Sequence, residues 1–499
     1  MSRTTRRARR AGWLAATLVA VLPALTAPAL TPAAAATASL EVVGKSPLDS
    51  RGMNAAVAVA GSCAYVGSRS DAAPLVVDVA NPASPQVAGE LPRHPGSTPR
   101  ELRAIPAARE LLVLFYAING GPNRLDIYRW SGDCRQPAQV GSVDFGSRAP
   151  HEFYLWQDTG RASRVLLYVS MFGASGDGLD VIEVTDLAHP TRLGGWTVPS
   201  AYGHAPLHSI DVAADGGTAF VSLWTGGLVV ADVSDFAAGK PSPTLRPLTA
   251  PEAVFKTAPG DVHSAVPVPG RTMVVTTDER YPNQGCPFGT AHLVDLSTPA
   301  RPRAVSTLAV PENTPSTCAG APSGTWTSHN PTVTAHLALI SWYSAGLQVF
   351  GLDDPAQPVR LTELRPTGTT PKLRDLELGS TDTMTWSYPV ISGGIIYVAD
   401  INQGLLLLRY HGPHEDEVAG AAFLEGNSNI TAGAVGPSAS ATIAPGGGPS
   451  SPAVSPSPGA VAGLTAAFLL PVLGVIAVLA LLAVAVLVLW RRRSRAPGP

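Results

Sequence analysis

The sequence predicts an all-β protein: a single seven-bladed β-propeller of four-stranded antiparallel blades, with an N-terminal signal peptide and a single C-terminal transmembrane helix. Three observations support this prediction. A pattern of short apolar runs recurs along most of the 499 residues, an apolar segment follows a cluster of N-terminal arginines, and a long uncharged segment precedes a basic C-terminus. With Gly 49 and Pro 47, the chain is also too rich in helix-breaking residues for a helical fold.

Residues 1–36 have the three parts of a secretory signal peptide. The basic stretch MSRTTRRARR comes first, apolar residues 13–25 follow, and small residues continue to Ala36. This layout, with its A-x-A ending, predicts export and cleavage near Ala36. The alternative is an uncleaved anchor helix, but Pro23 and Pro28 interrupt the apolar part and favour cleavage.

Residues 37–412 form the predicted propeller. In each repeat an alternating apolar run leads into a turn that ends in proline, and two further apolar runs lie upstream. The turn prolines recur 52 to 59 residues apart, at Pro85, Pro137, Pro190, Pro243, Pro302 and Pro358. Every repeat therefore offers four short strands. Repeats of about 50 residues with four strands each are typical of propeller blades, whose faces cover one another around an axis.

We expect strands from both ends of this region to close the ring. Seven repeats are present, and the seventh ends early, at Tyr410, without its closing run. Residues 39–48 (SLEVVGKSPL) resemble the closing run of the other repeats. We therefore expect them to supply the outermost strand of the last blade. A six- or eight-bladed ring is the alternative.

The turn segments resemble a known repeat. They read LVVDVANPASP (75–85), VIEVTDLAHP (181–190), HLVDLSTPARP (292–302) and LQVFGLDDPAQP (347–358). These runs look like the LVIVD repeat, a β-propeller repeat of secreted and membrane-anchored bacterial proteins. The resemblance extends over most of residues 37–412. It implies an extracellular propeller but little about chemistry, because propellers host many unrelated functions.

The C-terminal part of the chain predicts a membrane anchor. Residues 413–460 are rich in Pro, Gly, Ser and Ala, and such a segment is expected to form a disordered stalk. Residues 461–490 contain no charged side chain and are long enough to cross a bilayer as one helix; a buried core helix is the alternative. The basic tail, residues 491–499, is then cytoplasmic, and the propeller is extracellular.

Composition and motifs exclude several functions. The net charge is −2 and only 14% of residues are charged, which excludes a strongly basic nucleic-acid binder. The sequence has no G-x-S-x-G elbow, no phosphate-binding G-x-x-x-x-G-K-[ST] loop and no H-E-x-x-H zinc motif. The expected partners are therefore the membrane and an extracellular protein or small ligand, with no nucleic acid.

Four cysteines in an exported chain indicate two disulfides. Three pairings are open, and nearness along the chain favours Cys63–Cys134 and Cys286–Cys318. A metal–thiolate site is the alternative, but the sequence has no C-x-x-C spacing to support it.

Histidine recurs at the start of the predicted innermost strand in four consecutive repeats. These residues are His151, His208, His263 and His329. Because innermost strands line the central channel, their first residues are expected to meet at one mouth of it. Neutral imidazoles suit Cu, Zn, Fe or Ni, and the nearby Glu152 and Asp261 are candidates for further ligands or for hydrogen-bond partners of the ligands.

Other interpretations of this mouth stay open. The four histidines can instead tie neighbouring inner strands together, or they can line a ligand site without metal. Aromatic and basic side chains in the nearby turns form a candidate binding rim, and packing between blades is their alternative role. The rim residues are Trp224, Arg280, Tyr281, Trp342 and Tyr343. His204 is a candidate further ligand or an exposed side chain, and His336 is expected in the core.

The sequence therefore indicates a membrane-anchored extracellular propeller that acts as a ligand- or protein-interaction module, with a candidate metal site in the channel. The alternative is a metal-dependent redox or hydrolytic enzyme that uses the same histidines. A purely structural envelope protein is a third interpretation. Whether the protein is an enzyme is left open, because no catalytic motif decides it.

Overall fold

Seven antiparallel sheets surround a central channel in the computed structural model. The structure describes residues 37–161, 164–172, 178–203, 205–258, 260–318 and 324–430. The first strands of neighbouring blades contact one another, so these strands line the channel. The seven-bladed ring of four-stranded blades is confirmed.

Blades 1 to 4 follow one another along the chain. Blade 1 comprises β2 (Asn54–Ala60), β3 (Cys63–Ser68), β4 (Leu75–Asp78) and β5 (Gln86–Glu90). Blade 2 comprises β6 (Ser97–Ile105), β7 (Glu110–Ala117), β8 (Arg124–Arg129) and β9 (Ala138–Asp144). Blade 3 comprises β10 (Ala149–Gln157), β11 (Val165–Phe172), β12 (Gly178–Glu183) and β13 (Thr191–Thr197). Blade 4 comprises β14 (Ser209–Val212), β15 (Thr218–Ser222), β16 (Leu228–Asp232) and β17 (Arg246–Pro247).

Blades 5 to 7 complete the ring. Blade 5 comprises β18 (Val262–Pro267), β19 (Met273–Asp278), β20 (Ala291–Asp295) and β21 (Arg303–Leu308). Blade 6 comprises β22 (Ser328–Val333), β23 (Leu337–Trp342), β24 (Gly346–Gly351) and β25 (Val359–Leu364). Blade 7 comprises β26 (Val390–Ser392), β27 (Ile395–Asp400), β28 (Gly404–His411) and, from the start of the chain, β1 (Ser39–Ser46).

Strand β1 closes the ring, as predicted. It pairs antiparallel with β28, from Ser39 opposite His411 to Ser46 opposite Leu405. The backbone groups at the outer edge of β28 therefore find partners in a strand from the opposite end of the propeller. This pairing links the first and last parts of the ring, where the seventh repeat lacks its own closing strand.

Helices are few and short in the described part of the chain. The α-helices are α1 (Ser234–Ala237), α2 (Pro315–Cys318) and α3 (Glu415–Ala419). The 3-10 helices are Leu48–Ser50, Pro106–Ala108, Ser200–Tyr202, Pro251–Ala253, Pro282–Gln284, Pro311–Asn313 and Tyr343–Ala345. All of them lie in connections between strands, where proline or a following glycine ends regular pairing.

Burial explains the sequence character of each strand. The inner strands β2 and β22 are buried at every position, because blades cover both of their faces. Outer strands such as β5 alternate between exposed and half-buried residues. Strand β2 therefore consists mostly of Ala and Val, whereas β22 also contains buried polar residues, and the outer strand β5 has its exposed positions at Gln86, Ala88 and Glu90.

Both predicted disulfides form. Cys63 joins Cys134 with a Cα–Cα distance of 6.0 Å, and Cys286 joins Cys318 at 5.9 Å. The first bridge ties blade 1 to the turn of blade 2, and the second joins two loops of the blade 5 region. Bridging chemistry therefore accounts for all four cysteines.

The folded body continues beyond the predicted boundary at residue 412. Helix α3 is followed by β29 (Phe423–Leu424), which pairs with the inner strand β26. The segment 425–430 then reaches β10 of blade 3, where the Leu155 N–H donates to the Asn427 carbonyl at 3.1 Å. The stalk prediction is therefore wrong for residues 413–430.

This C-terminal segment crosses the channel from blade 7 to blade 3. On its way it passes blade 6 so closely that a side chain at Gly426 would collide with the Pro331 carbonyl. Composition misled the prediction, because the segment is rich in small and polar residues and its two buried apolar side chains, Phe423 and Ile430, lie seven positions apart. We name residues 423–430 the channel segment.

The remaining terminal predictions lie outside the described residues. They are the signal peptide (1–36), the rest of the stalk (431–460), the transmembrane helix (461–490) and the cytoplasmic tail (491–499). Among the described residues, no helix has the length and apolar character needed to cross a membrane.

Candidate metal centre

Irregular strand pairing aims the histidines at the channel mouth. The regular register of the inner strands is interrupted between Pro150 and Phe153 and again around His263 and His329. A bulge of this kind turns a side chain away from its normal alternation. His208 comes one residue before β14, where its N–H donates to the Ser222 carbonyl at 2.8 Å.

The four imidazoles form an arc at one mouth of the channel. Ring centroids of consecutive histidines lie 4.4 Å apart for His151 and His208, 4.0 Å for His208 and His263, and 4.0 Å for His263 and His329. The Nε2 atoms of His151 and His208 lie within hydrogen-bond distance, at 2.9 Å. The recurrence along the sequence therefore corresponds to convergence in space.

A carboxylate that the sequence reasoning missed completes the group. Oε1 of Glu279 lies 3.6 Å from Nε2 of His329, and Oε2 lies 3.9 Å from Nε2 of His263. The Tyr343 hydroxyl donates to Glu279 and fixes its orientation. The potential ligand atoms of His208, His263 and Glu279 lie within 4.8 Å of one another. A sequence signal existed for Glu279. This residue directly follows β19, and because β19 runs antiparallel to β18, its end lies beside the start of β18, where His263 is found.

Of the two acidic residues predicted near the histidines, only Glu152 lines the cavity. Its Oε2 lies 3.7 Å from Nδ1 of His208. The carboxylate of Asp261 instead accepts a hydrogen bond from the Gln284 amide at 3.0 Å. Asp261 contributes its backbone carbonyl, which accepts from the Glu279 N–H at 3.0 Å. The direct role expected for the Asp261 side chain is thus taken by Glu279.

A hydrogen bond sets the tautomer of one imidazole. Nδ1 of His329 lies 2.7 Å from the Trp386 carbonyl and must donate to it. The proton of this neutral ring therefore sits on Nδ1, so that Nε2 carries a lone pair. Nδ1 of His263 is also engaged, at 2.7 Å from the Ser264 hydroxyl. This is the arrangement of metal-binding histidines.

Burial keeps the four imidazoles neutral. His208 is 4% exposed, and burial lowers its pKa to about 3. Burial also holds the pKa values of His151, His263 and His329 well below the usual range, with neighbouring imidazoles or arginines adding to the effect. These rings are therefore ready to act as neutral ligands at physiological pH.

Burial acts in the opposite direction on the carboxyl groups. It raises the pKa of Glu279 to about 7 and that of Glu152 to about 8, against an ordinary value of 4.5. An ionised carboxylate is therefore costly at these positions unless a cation lies nearby. One oxygen of Glu152 and Nδ1 of His208 are also buried without a hydrogen-bond partner in the described part of the chain.

The cavity inside the arc has a volume of about 20 Å³. That is enough for one water molecule or a single ion. Its lining comprises Arg69, Arg100, Glu101, His151, Glu152, His208, His263, Glu279, Tyr281, His329, Asn330 and Trp386. The predicted histidines all belong to it, whereas Arg69 and Glu279 are residues that the sequence analysis did not single out, although Glu279 lies in the same turn as the rim candidates Arg280 and Tyr281.

Three of the five predicted rim residues lie at this mouth. Trp224 stacks on His208 with centroids 4.7 Å apart, and Tyr281 stacks in turn on Trp224 at 6.1 Å. Tyr343 lies 5.1 Å from the His329 ring. These aromatic side chains cover the arc and limit the access of water to it.

The other two predicted rim residues point elsewhere. Arg280 donates to the carbonyls of Pro287 and Gln284 within its own loop, at 2.7 and 3.0 Å. Trp342 is fully buried in the core, where its indole N–H donates to the Trp326 carbonyl at 2.8 Å. Trp342 is therefore a packing residue, which is the alternative role that the sequence analysis left open.

The sequence analysis also considered His336 and His204, and neither is observed in the arc. His336 is not in the core, as expected, but half-exposed, with Nδ1 2.5 Å from Oε1 of Glu417 and its ring stacked 4.4 Å from His414. These three residues form a surface ion-pair cluster that also has metal-ligand spacing. His204 lies outside the described residues.

Comparisons with known proteins identify the repeat. The LVIVD repeat model matches residues 51–91 and 208–243. These segments include all four strands of blade 1 and the first three strands of blade 4. No curated protein matches the chain.

Solved β-propellers are among the similar structures, all at low identity. The periplasmic gluconolactonase PpgL of Pseudomonas aeruginosa is 16% identical with a TM-score of 0.48, covering 72% of this chain and 92% of its own. The β-propeller domain of Cps50 (Swd1) from Myceliophteria thermophila is 12% identical with a TM-score of 0.47, covering 74% and 99%. Neither similarity says what this chain does. The chain is therefore a seven-bladed β-propeller that contains segments matching the LVIVD repeat.

Proposed function

We propose that this protein is a membrane-anchored extracellular β-propeller whose channel mouth binds a transition metal ion. The observation that carries the proposal is the arc of four neutral imidazoles around one cavity, with the proton of His329 fixed on Nδ1 by the Trp386 carbonyl. Ties between inner strands would need no such free nitrogens, because backbone groups and hydroxyls serve that purpose.

The ligand set is His208, His263 and Glu279, with His151 beside it. These three offer two nitrogens and one oxygen within 4.8 Å of one another. Two nitrogen ligands bound at about 2.05 Å and at right angles lie about 2.9 Å apart. The His151 and His208 Nε2 atoms have that separation of 2.9 Å. Nitrogen-rich sites with one carboxylate suit Cu, Zn, Fe or Ni.

Removing two ligands together is expected to abolish metal binding. The variant His208→Ala/His263→Ala should contain less than about a tenth of the metal of the unsubstituted protein, because it removes both nitrogen ligands of the clustered set and leaves only the Glu279 carboxylate of that set. Elemental mass spectrometry of the purified full chain measures this directly.

His336→Ala is the matched control. It removes a histidine of the surface cluster with Glu417 and His414, and it should leave the metal content unchanged. Metal retained by the double variant, or lost from His336→Ala, would place the ion outside the channel and contradict the proposal. Circular dichroism of each variant separates loss of a ligand from loss of the fold.

The membrane anchor is a separate part of the proposal, and it has a test of its own. Residues 461–490 are uncharged, and an arginine-rich tail follows. We expect the full chain to sediment with membranes, and a chain that ends at residue 430, after the channel segment, to be released in soluble form. A shortened chain that still sediments with membranes would exclude the anchor.

One observation favours the enzymatic alternative. The clustered set of His208, His263 and Glu279 supplies three ligand atoms, so a four-coordinate ion bound there would keep an open coordination position. Such a position supplies Lewis acidity or redox chemistry at a metal centre. We propose this enzyme as the second candidate function, to be pursued only with metal-loaded protein.

A further inference from the structure

Two arginines share the cavity with the histidines. Arg69 follows β3 of blade 1, and Arg100 lies at the irregularity of β6 between Pro99 and Glu101. Arg100 thus occupies in blade 2 the position that His151 occupies in blade 3. Both arginines line the cavity.

The two arginines differ in their partners. Nε of Arg69 is paired with Oδ2 of Asp375 at 2.6 Å, and both side chains are 7% exposed. Arg100 forms no ion pair within the part of the chain that the structure describes, and its Nε is buried without a hydrogen-bond partner. Its guanidinium lies 5.6 Å from the Tyr116 ring centroid. The adjacent carboxylate, Glu101, is engaged by Arg103 at 3.0 Å instead.

Arg100 therefore places at the mouth a half-buried cation that has no direct ion-pair partner among the described residues. A guanidinium stays charged at any physiological pH, and even partial burial of a charge favours a partner for it. A metal ion held by the imidazoles would add further positive charge within the same cavity. An anion placed between the Arg100 guanidinium and the metal ion would pair with both cations. A carboxylate is suited to this position, because its two oxygens match the fork of the guanidinium.

We propose that the channel mouth binds the carboxylate group of a small organic acid, held by Arg100 beside the metal ion. The inference rests on the proposed metal centre and names the ligand class of that same site. The volume of about 20 Å³ inside the arc is taken up by the metal ion, so the carboxylate lies at the mouth and the remainder of the acid lies outward. There it meets the stacked rings of Trp224 and Tyr281.

Acetate is the probe, and acetamide is its neutral counterpart of similar shape. Calorimetric titration of the metal-loaded full chain should show acetate binding and at least about tenfold weaker acetamide binding, because only the anion gains a charge-assisted contact. Arg100→Gln should weaken acetate binding at least about tenfold. Arg280→Gln, whose guanidinium faces its own loop, should leave it unchanged.

Metal content measured on the same samples separates this inference from the metal proposal. Acetate bound equally by the unsubstituted protein and Arg100→Gln, with full metal in both, would overturn the carboxylate site and leave the metal centre standing. Absence of metal from the unsubstituted protein would instead refute the metal centre. Arg100→Lys keeps the charge, and intermediate binding by this variant would support the role of the guanidinium should Arg100→Gln fail to fold.

Discussion

Replacing Arg103 by methionine is expected to lower the free energy of unfolding by about 3–5 kcal/mol, the usual cost of leaving buried charges without their partner. Arg103 is 1% exposed, and its guanidinium donates to Oε2 of Glu101 at 3.0 Å and to the Leu102 carbonyl at 2.7 Å. It also lies 3.7 Å from Oε1 of Glu152. Without it, several buried carboxyl groups inside the channel lose their cation.

A second substitution tests the cause of this loss. Glu101→Gln removes one of the orphaned charges, so the double variant Arg103→Met/Glu101→Gln should recover part of the stability that Arg103→Met loses. Chemical denaturation followed by tryptophan fluorescence measures both variants. If the two substitutions destabilise additively, the ion-pair explanation is wrong and Arg103 acts through packing on Phe153 and Tyr388, which it contacts at 5.0 and 5.6 Å.

Phe423→Ala is expected to cost about 3–5 kcal/mol, as is usual for a fully buried aromatic side chain. Phe423 is 3% exposed and packs into the core between blades, although it lies beyond the predicted end of the propeller. Leu424→Ala, at the half-buried next position, should cost about 1 kcal/mol or less. Thermal denaturation of both variants compares them directly.

The outcome decides whether the channel segment is part of the fold. Equal, small effects at residues 423 and 424 would mean that the segment does not pack as described. A chain ending at residue 412 should then also be as stable as one ending at residue 430. With the segment packed, the shorter chain loses Glu425, which lies 2% exposed in the channel, and is the less stable of the two.

The fold was predictable because propeller blades are local. Each blade is one continuous stretch of chain, so its strand pattern and turn proline can be read in order, and the missing fourth strand of the last blade leaves one candidate partner, β1. The channel segment breaks this rule. Residues 425–430 find their partners near Leu155, more than 250 positions away, and nothing in their local pattern indicates it.

The site was predictable only where it repeats. The four histidines recur at equivalent positions of consecutive blades, and a shared position implies a shared place in the ring. Glu279 and Arg69 occur once each, at the ends of second strands, and only the closure of the ring brings them to the histidines. Asp261 illustrates the reverse error, since nearness along the chain to His263 does not direct its carboxylate into the cavity.

Anomalous X-ray scattering from crystals of the purified protein tests the central claim most directly. Data collected on both sides of the absorption edge of the bound metal locate the ion without reference to any function. We predict a single strong peak within bonding distance of His208 and His263, with Glu279 as its oxygen ligand. A peak at His336 and His414, or no peak in crystals grown with Cu, Zn, Fe or Ni, would contradict the metal centre.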